Sequence, residues 1–80
     1  MYQPIINVKP LPEYKLVITF KNSEIKLLDM NPFLEKGIFS ELKDVTLFKT
    51  VHVSFDSIEW NNQADLDPEF IYEESVPYIN

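Results

Sequence analysis

One histidine and a short run of carboxylates are the residues whose types suit chemistry. His52 stands between Val51 and Val53, and Asp65-x-Asp67-x-Glu69 lies further along the chain. Imidazole titrates near neutral pH and serves as a general base or a metal ligand, so His52, Asp65 and Asp67 are the set from which a small-molecule, metal-binding or enzymatic site would be assembled. The pattern falls short of such a site. A general base needs a nucleophile or an orienting acid at hydrogen-bond distance, and the sequence places none beside His52. Asp65, Asp67 and Glu69 copy the first three ligand positions of a calcium loop, but the loop's central glycine is missing and Val76 stands where its closing glutamate belongs. Asp67 precedes Pro68 and is better used as a helix cap. The single glycine, Gly37, excludes a glycine-rich phosphate loop. Trp60 and Phe55 have Asp56 and Glu59 as neighbours, not the cations that accompany base-stacking aromatics. The expectation is a protein with no catalytic residue, no cofactor and no metal.

Composition narrows the function classes further. The chain has 80 residues, 45% hydrophobic and 14% aromatic, enough for one folded domain spanning residues 1–80 with a small core. It has no cysteine, which fits a reducing compartment, and no apolar run approaches a membrane span, so a soluble cytoplasmic protein is expected. The net charge of −6 is unevenly spread: residues 1–49 hold all seven lysines, whereas residues 50–80 hold acids and no base. Arginine is absent. Nucleic acid is bound largely through lysine and arginine neutralising phosphates, so the acidic balance argues against a direct nucleic-acid partner and for a basic protein partner.

The elements that must position these residues follow from periodicity. Pro4 to Pro10 alternates between two prolines and predicts an edge strand. Tyr14 to Lys21 alternates more clearly, and a two-residue turn at Asn22-Ser23 would set Phe20 opposite Ile25 and Ile18 opposite Leu27, with Ser23 accepting positive φ. Asn31-Pro32 reads as a cap and first position of a helical turn ending at Lys36, closed by Gly37. Ile38, Phe39 and Leu42 then share one helical face. Val45 to Phe55 predicts a strand, and a turn at Asp56-Ser57 pairs Phe55 with Ile58 and Val53 with Trp60. After a loop at 61–64, a helix from Pro68 to about Glu74 carries a staple between Leu66 and Ile71, and residues 76–80 are expected to fray. The fold class is therefore α+β: a small, mostly antiparallel sheet of about five strands, two hairpins plus an N-terminal edge strand, with two short helical segments. The expected core is Leu16, Ile18, Phe20, Ile25, Leu27, Phe33, Leu34, Phe39, Leu42, Phe48, Val51, Val53, Phe55, Trp60 and Tyr72.

With catalytic chemistry missing, protein interaction is the function expected. The acidic segment supplies the partner surface: Asp65, Glu69, Glu73 and Glu74 would steer a basic partner, and Tyr72 or Tyr78 would anchor it. The alternative reading is that these acids only keep a small domain soluble. A homo-oligomer formed through the N-terminal edge strand is the rival arrangement.

Taken together, Leu27-Leu28-Asp29-Met30-x-Pro32-Phe33-Leu34, then Gly37-x-Phe39-x-x-Leu42-Lys43-Asp44, Leu47-Phe48, Ile58-x-Trp60 and Asp65-Leu66-x-Pro68-Glu69-x-x-Tyr72 resemble a bacterial family of small domains of unknown function, number 2442 in its series. The resemblance covers nearly the whole chain. It departs at two turns, where the family usually has glycine in place of Ser23 and proline in place of Asn61. It implies an α+β domain with an antiparallel sheet. Some family members carry a helix-turn-helix domain and look like transcriptional regulators, and stand-alone members are often encoded beside a small toxin-like protein. The DNA-binding part lies outside the pattern seen in these 80 residues, so the resemblance implies a partner or regulator of another protein and no catalytic residues.

Overall fold

Alternation of apolar side chains builds the first half of the molecule. The computed structural model describes residues 3–78, which begin with three antiparallel strands: β1 (Ile5–Leu11), β2 (Lys15–Phe20) and β3 (Ile25–Asp29). A 3-10 turn follows at Asn31–Phe33, a longer 3-10 helix at Gly37–Lys43 and one α-helical turn, α1 (Val45–Phe48). Next come β4 (His52–Ser54), β5 (Ser57–Glu59), β6 (Asp65–Leu66), the helix α2 (Pro68–Glu74) and β7 (Val76–Pro77). The strands form two antiparallel sheets: four strands in the order β1-β2-β3-β7, and three in the order β4-β5-β6. The class is α+β, and the expected single sheet of about five strands is divided in two.

The first hairpin differs from the expected register by one residue. Thr19 faces Ile25, Ile18 faces Lys26, Val17 faces Leu27 and Leu16 faces Leu28. The connection is the three-residue loop Lys21-Asn22-Ser23, with Ser23 at φ 77°. Asn22 fixes it: its side-chain oxygen accepts the Glu24 N–H at 3.0 Å, an Asx turn that a two-residue loop would not allow. A one-residue slip inverts every side chain of a strand. Leu28 therefore enters the core, and Ile25 (46% exposed) and Leu27 leave it.

The segment after the sheet is helical for longer than its sequence suggested. Asn31 is not the cap of its turn but its first residue, following Met30, and its N–H is accepted by the Asp29 side chain at 3.0 Å. Gly37 takes φ 52° at the corner, as expected. Val45–Phe48 is helix, not strand, because the Asp44 side chain accepts the Thr46 N–H at 3.0 Å and caps it. Tyr14 closes this region from the sheet side, donating its hydroxyl to the Lys43 carbonyl and meeting Phe48 edge-on at 5.3 Å.

The core lies between the inner face of the four-stranded sheet, the 3-10 segments, the small sheet and α2. Leu16, Ile18, Phe20, Leu28, Met30, Leu42, Ile58, Trp60 and Ile71 are fully buried, joined by Ile5, Leu34, Phe48, Val51 and Ala64. Trp60 donates its indole N–H to the Phe48 carbonyl at 3.0 Å. Phe33, Phe39 and Tyr72 are half-buried against this cluster. Leu66 packs on the core cluster to which Ile71 belongs, and Asp67 at the N-cap makes no side-chain capping bond. Val76 and Pro77 do not fray; they pair with Leu27 and Lys26 as β7. Tyr78 is held as well, its N–H donating to the Ile25 carbonyl, and the rest of the segment expected to fray, residues 79–80, lies outside the described residues.

Candidate functional site: an acid-lined groove beside an exposed phenylalanine

The second hairpin turns at Phe55-Asp56, one residue earlier than expected. Val53 pairs with Ile58 and Ser54 with Ser57. Two tertiary bonds fix this register. The hydroxyl of the buried Ser57 donates to the Leu66 carbonyl, which requires Ser57 inside β5, and the Asp56 carbonyl accepts the Ile5 N–H at 2.9 Å. Both central residues of the turn have positive φ, 49° for Phe55 and 67° for Asp56, the pattern of a type I′ turn that favours asparagine, aspartate and glycine. Phe55 is an unusual occupant. It leaves the expected core altogether and is 100% exposed, with Val53 at 38% on the strand behind it.

Below this tip a groove of about 490 Å³ runs between the hairpin and the junction of β6 with α2. Phe55, Ile58, Leu66 and Pro68 supply apolar lining, and Glu59, Asp65 and Asp67 supply carboxylates. Cross-strand pairing explains part of this convergence, since His52 faces Glu59 and Glu59 faces Asp65 in one row. His52 Nε2 lies 3.8 Å from Glu59 Oε1, and its other ring nitrogen is 2.9 Å from the Thr50 carbonyl. Asp65 and Asp67 are exposed and take part in no ion pair among the described residues. Such a lining suits a long cationic side chain: the methylene stem lies along Ile58, Leu66 and Pro68, the charge meets the carboxylates, and an aromatic ring is available at the lip.

The remaining sequence-predicted surface residues are dispersed. Glu69 sits in the first turn of α2, where a negative charge suits the helix dipole. Glu73 and Glu74 are exposed in the last turn, where it does not. Tyr72 is not a free anchor. Its hydroxyl donates to Glu24 Oε1 at 2.5 Å, its ring meets Phe20 edge-on at 5.1 Å, and Lys26 Nζ lies 3.8 Å from the ring centroid while donating to the Tyr72 carbonyl at 2.6 Å. The accepted bonds from Tyr72 and then Asn22 hold the Glu24 carboxyl below its usual range, and the same bond to Glu24 pushes the Tyr72 hydroxyl up. Tyr78 is half-buried, donating its N–H to the Ile25 carbonyl at 3.0 Å. The set His52, Asp65 and Asp67 is brought to the same end of the molecule, but among the described residues no group of three or more His, Asp or Glu side chains is placed to hold a metal ion.

A family model described as a protein of unknown function, DUF2442, matches residues 5–77. The chain belongs to the DUF2442 family. Comparison with curated proteins and with solved structures gives no match. Within this DUF2442 domain no helix of the described residues is long and apolar enough to cross a membrane. A second concavity, of about 500 Å³, is mostly apolar, lined by Pro10, Leu11, Pro12, Tyr14, Val45 and Phe48 with Glu13 and Lys49 beside them. It offers one charge of each sign, whereas the groove under Phe55 gathers three of one sign, and chemistry rather than volume favours the latter. Sequence reasoning missed Phe55 and Glu59 as site residues. No local signal marks Phe55, because phenylalanine at positive φ contradicts turn propensity; Glu59 was recoverable from the register once Ser57 was placed in the strand.

Proposed function

We propose that this domain is a non-catalytic protein-interaction module that takes a lysine- or arginine-bearing segment of another protein into the groove beneath Phe55. The observation that carries this reading is the fully exposed Phe55, held on a turn its side chain disfavours, over a groove with three carboxylates. Residues kept against local preference mark sites where contact outweighs stability. Desolvated aromatics carry much interface energy, and Asp65 and Asp67, without an ion pair among the described residues, accelerate encounter with a cationic partner. Partner or regulator of a neighbouring protein is the biological role that fits.

Titration of a short peptide of alternating lysine and leucine, followed by calorimetry, tests this. Binding should weaken about tenfold on Phe55→Ala and on the pair Asp65→Asn, Asp67→Asn, and should weaken as salt rises. The pair Glu73→Lys, Glu74→Lys, at the far end of α2, should slow association while leaving dissociation nearly unchanged. An affinity indifferent to Phe55 and to salt would refute the groove.

A further inference from the structure

The groove beneath Phe55 has a titratable neighbour on its rim. Imidazole is the side chain whose ordinary range of charge change falls between about pH 5 and 8, and His52 is the one histidine of the 80 residues. The backbone orients its ring. Nδ1 lies 2.9 Å from the Thr50 carbonyl, and a carbonyl only accepts, so this nitrogen carries the hydrogen. Nε2 is then the bare nitrogen of the neutral ring, and it lies 3.8 Å from Glu59 Oε1. Two acceptors make no hydrogen bond, so the neutral imidazole leaves the Glu59 charge to the groove. A proton gained at Nε2 faces that carboxylate and turns the contact into an ion pair.

Glu59 is shared between the histidine and the groove. It pairs with His52 on β4 and with Asp65 on β6, and it lines the groove together with Asp65 and Asp67. Like charges directly opposite one another repel, so the Glu59–Asp65 pair is receptive to a cation. His52 and a bound ammonium or guanidinium compete for the same carboxylate. The other charged groups nearby stay outside that competition. β1 packs beside β4 with Lys9 as its one charged residue, Lys49 precedes the strand, and Glu41 of the 3-10 helix accepts a bond from Asn62, whose neighbour Asn61 donates its N–H to Thr50 Oγ1. Among the described residues the sole ion-pair partner of His52 is Glu59. We infer that His52 is a pH-sensitive switch on this groove: as a neutral ring it leaves three carboxylates to a lysine- or arginine-bearing segment, and once protonated it occupies Glu59 and weakens that segment's hold. The switch rests on the proposed groove function and adds its regulation. Linkage makes it reciprocal, so a bound cation disfavours the imidazolium and binding releases protons.

Calorimetric titration of the full-length protein with the lysine-leucine peptide, its ends acetylated and amidated so that only the lysines carry charge, tests this at about pH 8 and about pH 5.5 at constant salt. Wild-type affinity should fall about two- to fivefold at the lower pH, the size of one exposed charge contact. Heats measured at about pH 6.5 in buffers of different ionisation enthalpy should show the proton release. His52→Gln should bind as the wild type does at the higher pH and keep that affinity at the lower one, while His52→Lys should bind weakly at both. Glu59→Gln should bind more weakly than wild type at the higher pH and lose the pH dependence. Wild-type affinity equal at the two pH values, or a fall that persists in His52→Gln, would overturn the switch and leave the groove standing. No binding even at the higher pH would remove both.

Discussion

The β2–β3 and β4–β5 hairpins both turn through residues at positive φ but put their tips to opposite ends. The tip of the first is tied down: Asn22 bonds Glu24 through both backbone and side chain, and Glu24 accepts the Tyr72 hydroxyl from α2. The tip of the other is also fixed through its backbone, by the Ile5 N–H, but it holds a phenylalanine entirely in water. Polar side chains at the β2–β3 tip bond within the molecule and serve the fold. The apolar side chain at the β4–β5 tip projects outward and serves nothing inside the molecule, which is why it reads as a contact residue.

The comparison breaks most sharply in the first hairpin, where adjacent leucines have opposite surroundings. Leu28→Ala should cost about 2–5 kcal/mol and Leu27→Ala about 1 kcal/mol or less, read from urea denaturation midpoints at constant slope. Equal losses would mean that the register is not the one described. At the β4–β5 tip the effect should have the other sign. Phe55→Asn relieves a strained position and should stabilise by about 0.5–1 kcal/mol, while binding of the lysine-leucine peptide weakens. Loss of stability would show that Phe55 packs somewhere. The smallest effect is pH-dependent and belongs to the first tip alone. The folded pKa of Glu24 is lowered, so its contribution is complete above the unfolded carboxylate range and is lost as pH falls through the folded value. That of Tyr72 is raised, so its contribution is present below the unfolded tyrosine value and lost as pH rises through the folded one. Glu24→Gln should flatten the melting temperature on both flanks, and a profile identical to wild type would remove Glu24 from the account.

Sequence made some of this legible and hid the rest for definable reasons. The helix Pro68–Glu74, the corner at Gly37 and the inward set Leu16, Ile18 and Phe20 follow from local rules, since proline, glycine and strict alternation each act over a few residues. The hairpin registers depended on single side chains bonding elsewhere: Asn22 to Glu24, and Ser57 to Leu66 from the next strand. Hydrophobic pairing alone accepted either alignment, because β3 has apolar residues on both sides, with Ile25 and Leu27 alternating against Leu28. Asp44 before Val45-Thr46 was a readable cap, outweighed by the β-branched residues that follow it. At the candidate site, Asp65 was found through charge, whereas Phe55 was assigned to the interior because its hydrophobicity suggested burial.

The two shortest strands bear on how the molecule opens. β6 adds to the small sheet, β7 adds to the large one, and α2 between them packs on the core through Ile71. Residues 65–77 thus contribute one strand to each sheet, and neither two-residue strand has enough ladder to persist without the helix. Loss of α2 therefore releases both strands in one step, making the C-terminal segment a single cooperative unit whose detachment uncovers an edge of each sheet together.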